Sequence, residues 1–333
     1  MSTTMSDTVI ARLGTTYHAW VRAHPHAAER FIDTIEELLS DAGVTYDRVV
    51  ARIKAWPSLK AKARKRTADG KPLYPEPWQN IHDLIGVRVT TFHSTEIPVA
   101  INVLTQSFHV VRSVDKTAET RVAGDFGYGS HHLVLRVEDD SEELEEYRGM
   151  VFEVQVRTVL QHAWAEFEHD IRYKSGTDHL DPRVDRAFTL AAGLIELADQ
   201  QFDQIAALKG GRVEAGDEVE LTAQTLPGVL AMLLESRFPR SRSDHYRWLE
   251  ELLSAHGITR VSQLRDLLQE SDIRAVRTAM NYRYRPSQVR IIDDLLLHRY
   301  GREHIELTGT SGNRAEQRPQ RLARRLRALR GAP

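Results

Sequence analysis

The hydrophobic period of this chain changes from helical to two and back again, and that change sets what it can fold into. Three segments between residues 84 and 158 alternate apolar with polar side chains, as half-buried strands do. LIGVRVTT (84–91) sets Ile85, Val87 and Val89 against Gly86, Arg88 and Thr90. SHHLVLRV (130–137) sets Leu133, Leu135 and Val137 against Ser130, His132, Val134 and Arg136. MVFEVQVRT (150–158) turns Phe152, Val154 and Val156 inward and Glu153, Gln155 and Arg157 outward. FHVVRSV (108–114) is a fourth candidate strand, with a helix over 95–107 before it.

Apolar strand faces need cover, and helical patterns on both sides supply it. Residues 8–40 carry Ile10, Leu13, Tyr17, Trp20, Phe31, Ile32, Ile35, Leu38 and Leu39 at three- and four-residue spacing, broken in two at His24-Pro25. Helices are expected over 159–174 and 183–208, whereas 46–66 reads as turn and helix and the proline-rich 67–80 as loop. The expected fold class is α+β, a mixed β-sheet with flanking helices. After a linker in GGRVEAGDEVE (210–220), helices over 225–236, 245–255, 262–270 and 287–299 make a C-terminal all-α domain. The expected division is 1–45 as N-terminal helices, 46–210 as the sheet domain, 215–310 as a helical domain without assigned role, and 311–333 as a disordered basic tail.

Composition removes several function classes. The 333 residues include no cysteine, which excludes disulfides, thiolate zinc sites and cysteine nucleophiles. No apolar run approaches the ~20 residues of a membrane span, and the first residues lack a secretory signal, so the expectation is a cytoplasmic protein without membrane attachment. A net charge of -2 argues against indiscriminate nucleic-acid binding, but the charges are segregated. Arg52, Lys54, Lys60, Lys62, Arg64, Lys65 and Arg66 form a run without an acid, and Asp139 to Glu146 is mostly acid. Seven arginines follow from Arg314 onward. Such runs commonly make solvated faces.

The polar strand faces carry groups suited to chemistry, although a merely solvated face would alternate in the same way. Asp83 stands before its strand, where its carboxylate could converge with Glu153 and share a magnesium ion that binds phosphate oxygens. Neither GxxxxGK[ST] nor GxGxxG occurs, so side chains must hold a phosphate, and the Arg52–Arg66 run supplies them. Tyr128 follows Gly127 at a strand mouth, where an aromatic ring can stack on a nucleobase. His162 and His169 share a helical face. The His82-Asp83 pair mimics metal phosphohydrolases, but further ligands for that chemistry cannot be assembled from the sequence. The residues therefore point to metal-assisted chemistry on a polyphosphate nucleotide.

In order and spacing, RIK (52–54), Ser58 with Lys62, DLIGVRV (83–89), GYGSHH (127–132), EVQVRT (153–158) and HAWAEFEHDIRYK (162–174) resemble the synthetase domain of RelA/SpoT homologues. The resemblance covers about residues 45–175 and suggests a small alarmone synthetase of nucleotidyltransferase-like fold carrying an extra helical domain. It implies transfer of pyrophosphate from ATP to the 3′-hydroxyl of GDP or GTP. By that resemblance Asp83 and Glu153 hold Mg²⁺, and Glu153 also activates the hydroxyl. Arg52, Lys54, Lys62, Arg64 and Arg88 face ATP, Tyr128 stacks on guanine, and His132, Gln155 and Arg157 hold the acceptor. The sequence departs from the family in lacking a Pro-Lys pair before Gly127, leaving Lys116 or Arg121 as substitutes, and in having Gly129 and His131. Two other readings stay open: a toxic relative that makes adenosine alarmones or pyrophosphorylates the tRNA 3′ end, and an inactive guanine-nucleotide-binding module. A homo-oligomer also fits the resemblance.

Overall fold

The period-two segments form strands because Val, Ile, Leu and Phe fill one side of a pleat while the alternate positions stay polar. The computed structural model describes residues 7–116, 129–175, 182–208, 216–312 and 315–331. It contains β1 (Tyr46–Ile53), β2 (Ile85–Thr91), β3 (His109–Asp115), β4 (His131–Arg136) and β5 (Val151–Thr158), joined in one sheet of order β1-β2-β5-β4-β3. Only β2 and β5 run parallel; the other neighbours are antiparallel, so the sheet is mixed as expected.

The first strand corrects the expectation of turn and helix over 46–66, since Tyr46–Ile53 is extended. A register shift between Tyr46 and Arg48 puts the buried Tyr46 and Val49 three residues apart, which imitates a helical period.

The chain divides into two compact units, Met1–Glu37 with Tyr46–Gln204, and Leu38–Thr45 with Ile205–Pro333. In the first, α1 (Asp7–Ala23) and most of α2 (Ala27–Asp41) join the sheet together with α3 (Trp56–Ala63), the single turn α4 (Pro77–Asn80) and α5 (Glu96–Ser107). Ile85, Val87, Val89, Leu133, Leu135, Phe152, Val154 and Val156 are buried on the apolar face. Phe152 receives the ring edges of Phe31 and Phe108, with centroids 4.8 and 5.1 Å away. Each such buried side chain contributes about 1.5–3 kcal/mol of transfer free energy.

Two helices follow the last strand, α6 (Val159–Ser175) and α7 (Pro182–Leu208). Thr158 and Gln161 start α6 as a reciprocal capping pair: the Gln161 side chain accepts from the Thr158 N–H at 2.8 Å, and the Thr158 hydroxyl accepts from the Gln161 N–H at 3.0 Å. Asp199 and Asp203 fasten α7, to the Thr158 hydroxyl at 2.7 Å and to the Ser94 N–H at 2.8 Å respectively.

The second unit is helical among the described residues: α8 (Leu226–Leu234), α9 (Ser243–Ala255), α10 (Val261–Leu267), α11 (Glu270–Met280), α12 (Gln288–Tyr300), α13 (Arg302–Thr308) and α14 (Arg318–Leu329). Its central element is α12, which buries Val289, Ile291, Ile292 and Leu295–Leu297 and, among them, Asp293 and Asp294. The basic tail expected to be disordered contains α14. Leu322 and Leu326 pack with Leu297, and Arg318 and Arg325 bind the α12 carboxylates. The sequence pattern also missed α11 and α13.

Candidate active site

Residues paired across neighbouring strands project to the same face, so the register decides which polar groups meet. Arg52, Gly86 and Glu153 form one row across β1, β2 and β5. Val50, Arg88, Gln155 and His132 form the next, extending to β4. The polar positions of four strands therefore share one face. At Gly86 a Cβ would meet nothing within 4 Å among the described residues, which leave the space between Arg52 and Glu153 open.

Asp83 lies just before β2, where the chain is tied from two sides. The Lys54 N–H donates to the Leu84 carbonyl at 2.8 Å, and the Tyr17 hydroxyl donates to the Lys54 carbonyl at 3.0 Å. This brings the Lys54 ammonium to Asp83 Oδ2 at 2.8 Å. On α3, burial of Leu59 and Ala63 anchors the helix, and Lys62 reaches the same oxygen at 2.9 Å. Burial pushes the Asp83 carboxyl up, but the two ammonium groups outweigh it and hold it below the usual range.

Glu153 is held by its neighbours on β4 and β5. Its Oε1 accepts from His132 Nδ1 at 2.9 Å and from the Gln155 amide at 3.3 Å. His132 Nε2 meets the Ser130 hydroxyl at 2.8 Å. The His132 hydrogen bond is the main force keeping the Glu153 carboxyl below its ordinary value, against burial and a smaller upward push from the Asp83 charge.

A second group of charges lies along the same face. Arg88, Arg157 and His162 surround Glu166 of α6 at 3.5, 3.6 and 3.5 Å. Burial lowers Arg157 to about 10, with the nearby Arg88 adding to the effect. Arg88 is itself lowered, first by burial, while Glu166 acts against this and Arg52 and Arg48 reinforce it. Burial and the arginines also push His162 down.

The structure thus brings Lys54 and Lys62 to Asp83, His132 and Gln155 to Glu153, and Arg88 and Arg157 to one another through Glu166. Arg52 lies on the shared face, whereas Arg64 is exposed at the C-terminal cap of α3 and makes no ion pair with either carboxylate. His169 is exposed while His162 joins the arginines. Tyr128 and Arg121 lie outside the described residues; Lys116 is within them and donates its N–H to the Ser130 carbonyl at 3.2 Å. Sequence reasoning did not single out Glu166 or Arg48; the signal for Glu166 is its position four residues after His162.

Among the described residues several atoms here are buried without a hydrogen-bond partner: Asp83 Oδ1, Arg88 Nε, Thr90 Oγ1 and Arg157 Nε. Glu153 Oε2 is not one of these buried atoms, and it accepts no hydrogen bond among the described residues. Two carboxylate oxygens without donors are the ligand type a hard divalent cation takes, with other oxygens completing its shell. Among the described residues no three His, Cys, Asp or Glu side chains converge to make a metal site from protein alone. Asp83 and Glu153 would each offer one such oxygen, so phosphate oxygens would have to complete the shell of a cation held there.

Residues 51–178 match the family model described as a region found in RelA / SpoT proteins. The GTP pyrophosphokinase YwaC of Bacillus subtilis (strain 168) is 29% identical over 130 residues, which are 38% of this chain and 59% of that protein. The GTP pyrophosphokinase YjbM of the same organism is 29% identical over 153 residues, 44% of this chain and 68% of that protein. The chain thus spans less than two thirds of the first of these relatives. Among solved structures, small alarmone synthetase 1 from Bacillus subtilis gives a TM-score of 0.47 at 22% identity, over 58% of this chain and 97% of that one. The same synthetase bound to its product pppGpp gives 0.48 at 22%, over 59% and 100%.

Proposed function

We propose that this chain, which carries a RelA/SpoT region over residues 51–178, transfers pyrophosphate from ATP to the 3′-hydroxyl of GDP or GTP. The observation that carries the reading is Glu153: one carboxylate oxygen is fixed by His132 and Gln155, and the other accepts no hydrogen bond among the described residues, on a sheet face that also carries Arg52, Arg88 and Arg157.

A sugar hydroxyl is a poor nucleophile, so transfer depends on in-line placement and on neutralising the phosphate charge. Glu153 Oε2 takes the hydroxyl proton as the oxygen attacks the β-phosphorus of ATP; the bond from that phosphorus to the α-phosphate oxygen breaks, and AMP leaves with the electron pair. Arg52, Arg88, Lys54 and Lys62 serve the donor nucleotide, and Gln155 and Arg157 the acceptor. His132 touches the carboxylate that meets the acceptor. Arg64 is the weakest member of this set, since it is exposed and apart from the carboxylates. Asp83 and Glu153 would hold Mg²⁺, which neutralises phosphate charge when bound. The proposal keeps Tyr128 as the ring that stacks on guanine.

Incubating the protein with labelled ATP and, separately, GDP, GTP, AMP or deacylated tRNA tests this directly. Label on GDP or GTP is the expected outcome. Label on AMP or tRNA alone would replace the proposed acceptor, and label on none would reduce the site to nucleotide binding. Tyr128→Ala should raise the KM for the guanine nucleotide about tenfold and leave that for ATP unchanged; equal losses for both would remove the stacking role.

A further inference from the structure

The Ser130–His132–Glu153 chain is a built arrangement. Ser130 stands just ahead of β4 and His132 lies within it, two residues apart on one face, so both reach the same ring of space beside Glu153 of β5. The imidazole is engaged at both nitrogens, at 2.9 Å to Glu153 Oε1 and 2.8 Å to Ser130 Oγ, and both His132 and Glu153 are largely shielded, with side chains 27% and 19% exposed. An imidazole bonded at both ends can neither rotate nor flip without losing one bond, so it fixes the carboxylate it holds. Gln155 adds a second donor to the same oxygen, leaving Oε2 without a hydrogen bond among the described residues.

We infer that His132, set by Ser130, is a positioning residue that fixes the rotamer of Glu153 and so chooses which carboxylate oxygen meets the acceptor hydroxyl. The inference rests on the transfer reaction proposed above and replaces the acceptor-holding role that the family resemblance implies for His132, which acts through Glu153 and not chiefly by gripping the acceptor. It also gives Ser130 a role. A carboxylate can only accept, so the Glu153 contact requires the proton on Nδ1; Ser130 must then donate to Nε2 in the neutral ring. Isolated neutral imidazole favours the other tautomer, which makes this one a signature of the clamp.

Two measurements test the inference. Nitrogen-15 spectra of the imidazole groups of the full chain, recorded at about pH 8.5 where unperturbed histidines are neutral, should show His132 with the proton on Nδ1. Ser130→Ala should partly shift it to Nε2. A wild-type His132 protonated on Nε2 overturns the inference whether or not the protein transfers label. In kinetics, His132→Ala should lower kcat about 100-fold with both KM values within about threefold. His132→Asn, whose amide can still donate, should recover part of that loss. A rise in acceptor KM at unchanged kcat overturns the inference and makes His132 an acceptor contact. If the wild type labels no acceptor while the Nδ1 tautomer is present, the proposed reaction fails and the positioning of Glu153 stands.

Discussion

The sheet face of the first unit and the central helix of the second both concentrate charge, but they balance it differently. Around α12, the three carboxylates of Asp41, Asp293 and Asp294 meet the three guanidinium groups of Arg290, Arg318 and Arg325. His304 Nε2 lies 3.0 Å from Asp293 and the Tyr282 hydroxyl donates to Asp294. Asp293 and Asp294 are 2% and 0% exposed. Burial raises Asp293, yet the arginines overcome it and hold this carboxyl well below the carboxylate range. On the sheet face the acids Asp83, Glu153 and Glu166 share their surroundings with Lys54, Lys62, Arg52, Arg88 and Arg157, and polar atoms remain without partners among the described residues. A matched buried cluster serves the fold; a half-open cluster with surplus cations and unpaired oxygens suits a polyanion brought from outside.

The sharpest break of this contrast is Glu153→Gln. It should reduce transfer by about 10³-fold while thermal unfolding stays within a few degrees of wild type, as followed by label transfer and calorimetry. Near-normal turnover would remove Glu153 from the chemistry. Asp293→Ala should do the opposite, lowering unfolding free energy by about 3–5 kcal/mol because Arg318 and Arg325 lose a buried partner; urea unfolding measures it. A neutral result would mean that the α12 cluster is not holding its unit together.

Asp199 supplies an intermediate case. Burial and the neighbouring Asp203 raise its carboxyl to about 7, although the Thr158 hydroxyl lies 2.7 Å away. A carboxyl raised on folding binds its proton more tightly in the native state, so its share of stability is present at low pH and falls as pH rises between about 4 and 7. Asp199→Asn should therefore stabilise the protein at pH 8 relative to wild type and flatten that slope, read from melting temperature against pH. The smallest effect is expected at Gly86, where Gly86→Val would fill the open floor between Arg52 and Glu153. ATP KM should rise several-fold with little change in melting temperature. An unchanged KM would mean that no ligand uses that space.

Much of the sheet was legible because Val87, Val89, Leu133, Leu135, Val154 and Val156 keep strict alternation, which also put Arg88, His132 and Glu153 on polar faces. Their meeting was not legible, since it depends on β5 lying between β2 and β4. The first strand was hidden by its bulge. The α14 helix was hidden because its inward stripe includes Arg318 and Arg325, which any hydropathy pattern counts as solvent-facing. Asp83 could be chosen from its place before a strand, but the two lysines that hold it come from separate elements, the end of β1 and α3.

The distance along the chain between α12 and α14 has a consequence for synthesis. Asp293 leaves the ribosome 32 residues before Arg325. Asp294 can meet Arg290 and Tyr282 at once, but Asp293 waits for Arg318 and Arg325, so the helical unit closes only after a helix made well behind its central one. A chain cut ahead of Arg318 would stop in that unfinished state.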